Sequence, residues 1–153
     1  MIPIVSAEVE NAISNLKSSG SIFSISSAVL EETKYIISNV LAYIFNLCVT
    51  QGYFPEELKI GRITPIFKKG SKTLINNYRP VCNLSPFSKI FEKIVHNRMI
   101  EFITKNKKFS NSQFGFRKGM GTDSALTDFT DFIYKGLLKR HKVGSIFMNL
   151  RGV

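Results

Sequence analysis

The residues of this chain best suited to chemistry are cations, and they come in windows from which acids are missing. Residues 58–91 hold seven Lys or Arg and no Asp or Glu, residues 102–122 hold five against none, and residues 132–153 again five against none. Over 153 residues there are 21 Lys plus Arg against 11 Asp plus Glu, a formal charge of +10. If the three windows fold onto one side they form a basic groove, and its natural occupant is a polyanion such as a phosphate backbone. A Lys-rich surface also aids solubility without binding anything, so charge alone leaves both readings open. Inside the second window, Gln113, Phe114, Gly115, Phe116, Arg117 and Lys118 alternate aromatic, glycine and cation. That pattern suits a nucleic-acid strand laid against backbone and cations. Its bland alternative is that Phe114 or Phe116 packs as a core residue beneath a loop, and Gly115 and Gly119 allow close backbone approach under either account.

Other chemistries are poorly served. Asp128 and Asp131 share a helix face with Asp123 nearby, yet a third ligand is lacking, and acids early in a helix favour its dipole. His96 and His141 each stand alone on polar faces, where a solvated histidine is the simpler reading. Cys48 and Cys82 form no CxxC pair, which excludes zinc ribbons and disulfide frameworks and leaves them as small core hydrophobes. No Ser, His and Asp have a spacing that argues for nucleophilic catalysis.

The elements that must position these residues can be read from periodicity. Ser6 is placed to cap a short amphipathic helix carrying Val9, Ile13 and Leu16, closed by Gly20; Ser18 to Ser27 reads as a loop. From Ala28 to Gln51 apolar residues recur at about 3.6, predicting a long, mostly buried helix stopped by Gly52. Lys59 to Lys68 reads as a strand entering a hairpin through Lys69-Gly70-Ser71, and Tyr78 to Leu84 as its return, with Pro80 restricting it to an edge or end. Ser85-Pro86 opens a helix with Phe87, Ile90, Phe91, Ile94, Val95, Met99, Phe102 and Ile103 inward. After a basic loop, Thr122 caps a helix to about Lys139 with Ala125, Leu126, Phe129, Phe132, Ile133 and Leu137 inward, and Gly144 to Leu150 reads as a buried strand. The most apolar stretch, Ile36 to Val49, is 14 residues long and includes Ser38, Asn39 and Asn46. It is too short to span a bilayer, and Met1 to Val5 is too short for a signal peptide, so the expectation is an intracellular protein, cytoplasmic or nuclear, neither secreted nor transmembrane.

Seven short motifs then stand in order: Leu16-Lys17 with Gly20, Gly52-Tyr-Phe-Pro55, Pro65-Ile-Phe-Lys-Lys-Gly70, Asn77-Tyr-Arg-Pro80, Lys89-Ile-Phe-Glu-Lys93, Gln113-Phe-Gly-Phe-Arg117 and Thr122-Asp-Ser-Ala-Leu126. In this order they resemble the reverse-transcriptase (RNA-directed DNA polymerase) domain of non-LTR retrotransposons, the LINE-like and jockey-like mobile elements. The resemblance covers nearly the whole chain. It implies an α+β fold, the polymerase fingers subdomain plus the first strand of the palm, helix-rich with a small antiparallel β-hairpin. The organisation expected is an N-terminal helix and loop over 1–27, a fingers region over 28–142 and a truncated first palm strand over 143–153.

Chain extension is phosphoryl transfer, in which metal ions held by aspartates carry the reacting oxygens while cations neutralise the triphosphate. The resemblance implies that Lys68 or Lys69 and Arg79 contact the triphosphate of a deoxynucleotide, and that Gln113, Gly115, Phe116, Arg117 and Lys118 contact nucleic acid. The implied partners are an RNA template, a DNA primer and a deoxynucleotide triphosphate. The complete family enzyme uses Mg2+. Its last fingers-to-palm strand reads apolar-apolar-Asp-Leu, whereas this chain has Phe147-Met148-Asn149-Leu150, with Gly152 and Val153 at the following Lys and Ala positions. Asn is a far weaker ligand than carboxylate for a hard divalent cation, so no metal is expected to be held here and the chain is expected to be inactive alone. A second departure follows Gly20, where Ser21-Ile-Phe-Ser-Ile25 lacks the acid that relatives carry. Two other classes stay open: a basic nucleic-acid-binding module, and a degenerate mobile-element product without a selected function.

Overall fold

A computed structural model describes residues 2–16 and 25–148. Lys17, Gly20, the departure at 21–24, Asn149 and residues 150–153 lie outside the described residues. The architecture is α+β, helix-rich, with one two-stranded antiparallel hairpin, as the sequence implies. Five helices are described: α1 (Ser6–Ser14), α2 (Ser27–Gln51), α3 (Glu56–Lys59), α4 (Pro86–Lys105) and α5 (Thr122–Leu138). The strands are β1 (Gly61–Phe67) and β2 (Tyr78–Leu84), with a 3-10 turn at Ile75–Asn77 before β2. Two compact units divide the chain, Met1–Phe102 and Ile103–Val153.

The core of the first unit is formed by Val9, Ala12 and Ile13 of α1, Leu30, Leu41, Ala42 and Phe45 of α2, and Ile90 and Ile94 of α4, with Ile4 added from the segment before α1. Helix α2 forms where the sequence places it. Ser26 Oγ accepts the Val29 N–H at 3.3 Å to start it, and Gly52 ends it at φ 63°, where the Tyr53 N–H closes back on the Cys48 carbonyl at 3.1 Å. At the start of α4, Ser85 Oγ accepts the Ser88 N–H at 3.1 Å, and Pro86 takes the first helical position.

Long-range polar clamps hold the N-terminal segment to this core. The Asn46 side chain pairs with the backbone of Ile4 in both directions, accepting its N–H at 2.7 Å and donating to its carbonyl at 2.8 Å. The Arg98 guanidinium grips both carboxylate oxygens of Glu8, at 3.0 and 2.6 Å, and also donates to the carbonyls of Ile2 and Pro3. Arg98 holds the Glu8 carboxyl below the usual carboxylate range, against a smaller opposing effect of burial. The same carboxylate accepts the Val5 N–H at 3.1 Å, so Val5 is the cap of α1 and Ser6 its first helical residue. Ser6 is therefore not the cap, and Glu8, the third residue of the helix, reaches back to the cap residue's own N–H.

Several faces read as buried are exposed. On α2, Ile36, Val40 and Tyr43 form a solvent-facing stripe opposite Leu41 and Phe45; on α4, Met99 and Phe102 are exposed beyond the buried Ile90 and Ile94. Helix α5 buries none of its residues, with Leu126, Phe132 and Leu137 facing outward. Cys82 is exposed on the hairpin while Cys48 is buried. No strand forms over 144–148, and Ile146, Phe147 and Met148 are exposed. One cause covers all of these: an apolar stripe is buried only where another layer lies on it, and a lone strand has no ladder partner. Among the described residues no helix is long and apolar enough to cross a membrane.

Candidate functional site

The hairpin register decides which side chains of the basic window stand together. Ile66 pairs with Arg79 and Phe67 with Tyr78, and the ladder extends one step, the Lys68 N–H donating to the Asn77 carbonyl at 2.8 Å. Since side chains alternate, one face carries Arg62, Thr64, Ile66 and Lys68 with Asn77, Arg79, Val81 and Asn83. The other face carries Gly61, Ile63, Pro65, Phe67, Tyr78, Pro80, Cys82 and Leu84, with no charge at all. Lys68 and Arg79 thus sit diagonally adjacent on the polar face, and Lys69 follows in the turn. Lys68, Lys69 and Arg79 are exposed and form no ion pair among the described residues.

Both prolines fit the ladder. Because the Lys68 N–H points at the partner strand, those of residues 66 and 64 do so too and that of 65 points outward. Pro65 and Pro80, directly opposite each other, therefore occupy positions where no ladder N–H is lost.

The turn between the strands is built by the residues flanking Arg79. Asn77 Nδ2 donates to the Ser71 carbonyl at 2.8 Å, and the Tyr78 hydroxyl donates to the Lys72 carbonyl at 2.9 Å. The Tyr78 ring meets Phe67 edge-on at 5.5 Å, and Lys72 Nζ lies 5.9 Å from the Phe67 ring centre. Two residues of the Asn-Tyr-Arg-Pro motif thus hold the segment after Lys68 and Lys69 while the third projects from the polar face. Their clamping role was not read from the sequence; the signal available was an amide and a phenol directly after a polar turn. Gly70 has φ 92°, and a Cβ there would lie 2.7 Å from Asn77 Nδ2. Gly70→Ala is expected to cost about 1–2 kcal/mol through the left-handed backbone and the displaced amide, measured by denaturant unfolding. An unchanged midpoint would refute the clamp.

The base of the hairpin is anchored by buried serines. Ser88 Oγ donates to the Leu58 carbonyl at 2.6 Å and lies 2.7 Å from Ser85 Oγ. That bond joins the start of α4, just after β2, to the end of α3, just before β1. The Gly-Tyr-Phe-Pro motif also has a packing role, since the Phe54 ring stacks on Phe91 at 5.3 Å and Phe91 meets Phe45 at 4.9 Å.

In the second unit, the loop holding Gln113, Gly115, Phe116, Arg117 and Lys118 is braced from within. Arg117 Nη1 donates to the carbonyls of Ser110 and Gln113, each at 3.1 Å, and the guanidinium lies 5.1 Å from the Phe109 ring centre. The Gln113 side chain donates to the Gly115 carbonyl at 3.3 Å. Phe114 is half-buried, whereas Phe116 is 101% exposed at φ 60°. A non-glycine residue there costs on the order of 1–2 kcal/mol, and a fully exposed ring returns nothing to the fold. Lys118 is exposed. Among the described residues no group of three or more His, Cys, Asp or Glu is placed to hold a metal ion.

Comparison with known proteins places this geometry in context. No protein-family model matches the chain. It is 28% identical over 152 residues, 97% of its length, to a probable RNA-directed DNA polymerase from transposon BS of Drosophila melanogaster. It is 31% identical over 112 residues, 72% of its length, to the RNA-directed DNA polymerase from mobile element jockey of Drosophila funebris. It is 32% identical over 122 residues, 77% of its length, to a putative 115 kDa protein in the type-1 retrotransposable element R1DM of Drosophila melanogaster. The chain spans 17%, 12% and 12% of the length of these curated relatives. It is therefore homologous, at the level of the family, to a segment of the RNA-directed DNA polymerases of non-LTR retrotransposons.

Proposed function

We propose that this chain is the fingers region and the beginning of the palm of a retrotransposon reverse transcriptase, retaining the parts that bind nucleotide and template. The observation that carries this reading is the diagonal placement of Lys68 and Arg79 on the hairpin's polar face, within a segment homologous to RNA-directed DNA polymerases. Lys68 and Lys69 supply mobile point charges and Arg79 a planar fork, a combination suited to the oxygens of a deoxynucleotide triphosphate. The braced loop 113–118 is the counterpart that meets the RNA template or the DNA primer.

Magnesium, in the complete enzyme, carries the reacting oxygens of phosphoryl transfer. The donor set here does not fit it, because the uncharged Asn149 stands where the family places its first metal-binding carboxylate. The chain accordingly binds substrates and does not join them.

Lys68→Glu combined with Arg79→Glu tests the reading. Titration with a deoxynucleotide triphosphate is expected to show more than about tenfold weaker binding than the unsubstituted chain, with an unchanged circular dichroism spectrum. Equal affinities would sink the nucleotide site. In a primer-extension assay with added magnesium no product is expected, and templated synthesis would refute inactivity.

A further inference from the structure

Phe116 is the residue whose setting the fold does not explain. Its ring is fully exposed, its backbone is held at φ 60°, and it stands in a loop braced on both sides of it: Arg117 to the Ser110 and Gln113 carbonyls, and Gln113 to the Gly115 carbonyl. Strained backbone that presents rather than buries a side chain points to a contact made outside the chain. The chain segment that carries it defines its chemistry, because residues 102–122 contain Lys105, Lys107, Lys108, Arg117 and Lys118 and no acid. An apolar protein surface has no use for such an excess of cations. A single-stranded nucleic acid has a use for both parts, since its phosphates meet the cations and its unpaired bases offer flat π-faces.

We propose that Phe116 is a stacking platform for one unpaired base of a bound strand, with Lys118 on the flanking phosphate and Arg117 acting as the brace that holds the ring outward. This rests on the reading of loop 113–118 as a nucleic-acid contact and divides its residues by role. Arg117 is a positioning residue, because its Nη1 is bonded to two carbonyls of the loop and its guanidinium lies over the Phe109 ring. The preference conferred is for a base, of any identity, over an empty sugar, because every base has a stacking face.

Phe116→Gly separates this role from a structural one. Glycine accepts φ 60° without strain, so the variant is expected to unfold at equal or higher temperature while binding a single-stranded oligonucleotide roughly 5- to 150-fold more weakly. An abasic oligonucleotide of the same length is the decisive probe. The unsubstituted chain is expected to prefer the base-containing strand, and the variant to bind the two strands alike. Phe116→Tyr is expected to restore the preference. Binding of both strands equally by the unsubstituted chain overturns the stacking proposal and leaves the nucleic-acid reading of the loop standing. Absence of binding to either strand overturns both. A lowered unfolding temperature in Phe116→Gly also overturns the proposal, because it means the ring packs against the fold.

Discussion

Phe45→Ala is expected to lower the stability of the first unit by about 3–5 kcal/mol, the range for deleting a buried aromatic. The ring is 1% exposed, meets Phe91 at 4.9 Å and belongs to the cluster that joins α1, α2 and α4. Its removal takes away apolar burial and leaves a cavity that three helices cannot all close at once. Against the total of about 5–15 kcal/mol typical of a domain, the loss brings the variant near its unfolding threshold. Chemical denaturation followed by circular dichroism measures it. Ile36→Ala, on the exposed stripe of the same helix, is the matched control and is expected to change stability by less than about 0.5 kcal/mol. A Phe45→Ala loss below about 1 kcal/mol would contradict the described core.

Arg98→Ala is expected to cost about 2–3 kcal/mol at neutral pH, the value of a charge-assisted, two-pronged hydrogen bond together with its bonds to the exposed Ile2 and Pro3 carbonyls. The side chain is 18% exposed and Glu8 36% exposed, so the pair is partly screened by solvent and a fully buried pair's larger penalty does not apply. Acid should reduce the difference. The Glu8 pKa is lowered in the folded chain, chiefly by its hydrogen bond to Arg98, so its contribution is complete above the unfolded carboxylate pKa of about 4.3 and disappears as pH falls through the lower folded value. The stability gap between the unsubstituted chain and the variant is therefore expected to be flat from pH 7 to about pH 5 and to shrink below it. A gap that stayed constant down to pH 3 would show that the Glu8 pair contributes nothing and that the carbonyl bonds of Arg98 account for the loss.

The same residues show what a linear reading can and cannot reach. Gly52, Ser85 and Pro86 mark helix ends by local chemistry, and the structure ends the helices there, whereas Ser26, inside a stretch that reads as a loop, proves to be the cap of α2. The hairpin was legible from Lys69-Gly70-Ser71 between two apolar runs, and its register places Pro80 where no ladder bond is lost. The clamps were not legible. Asn46 meets Ile4 across 42 positions, and Arg98 meets Glu8 across 90, so neither partner is suggested by any short spacing. In the candidate sites, residue types were visible in advance and their division of labour was not. Arg117 and Lys118 look alike in a basic run, yet Arg117 is engaged by its own loop. Asn77 and Tyr78 stand in the Asn-Tyr-Arg-Pro motif with no role that the sequence assigns, and they hold the turn.

The sequence by itself determined the family, the helical periods, the turns and the presence of basic windows without acids. Each of these depends on residue type at short spacing, which folding does not alter. Only the tertiary structure decided which apolar stripes are covered, which cations are engaged within the chain and which of two phenylalanines stands in solvent. Those outcomes depend on what lies opposite a side chain, and what lies opposite is brought there by chain segments tens of residues away.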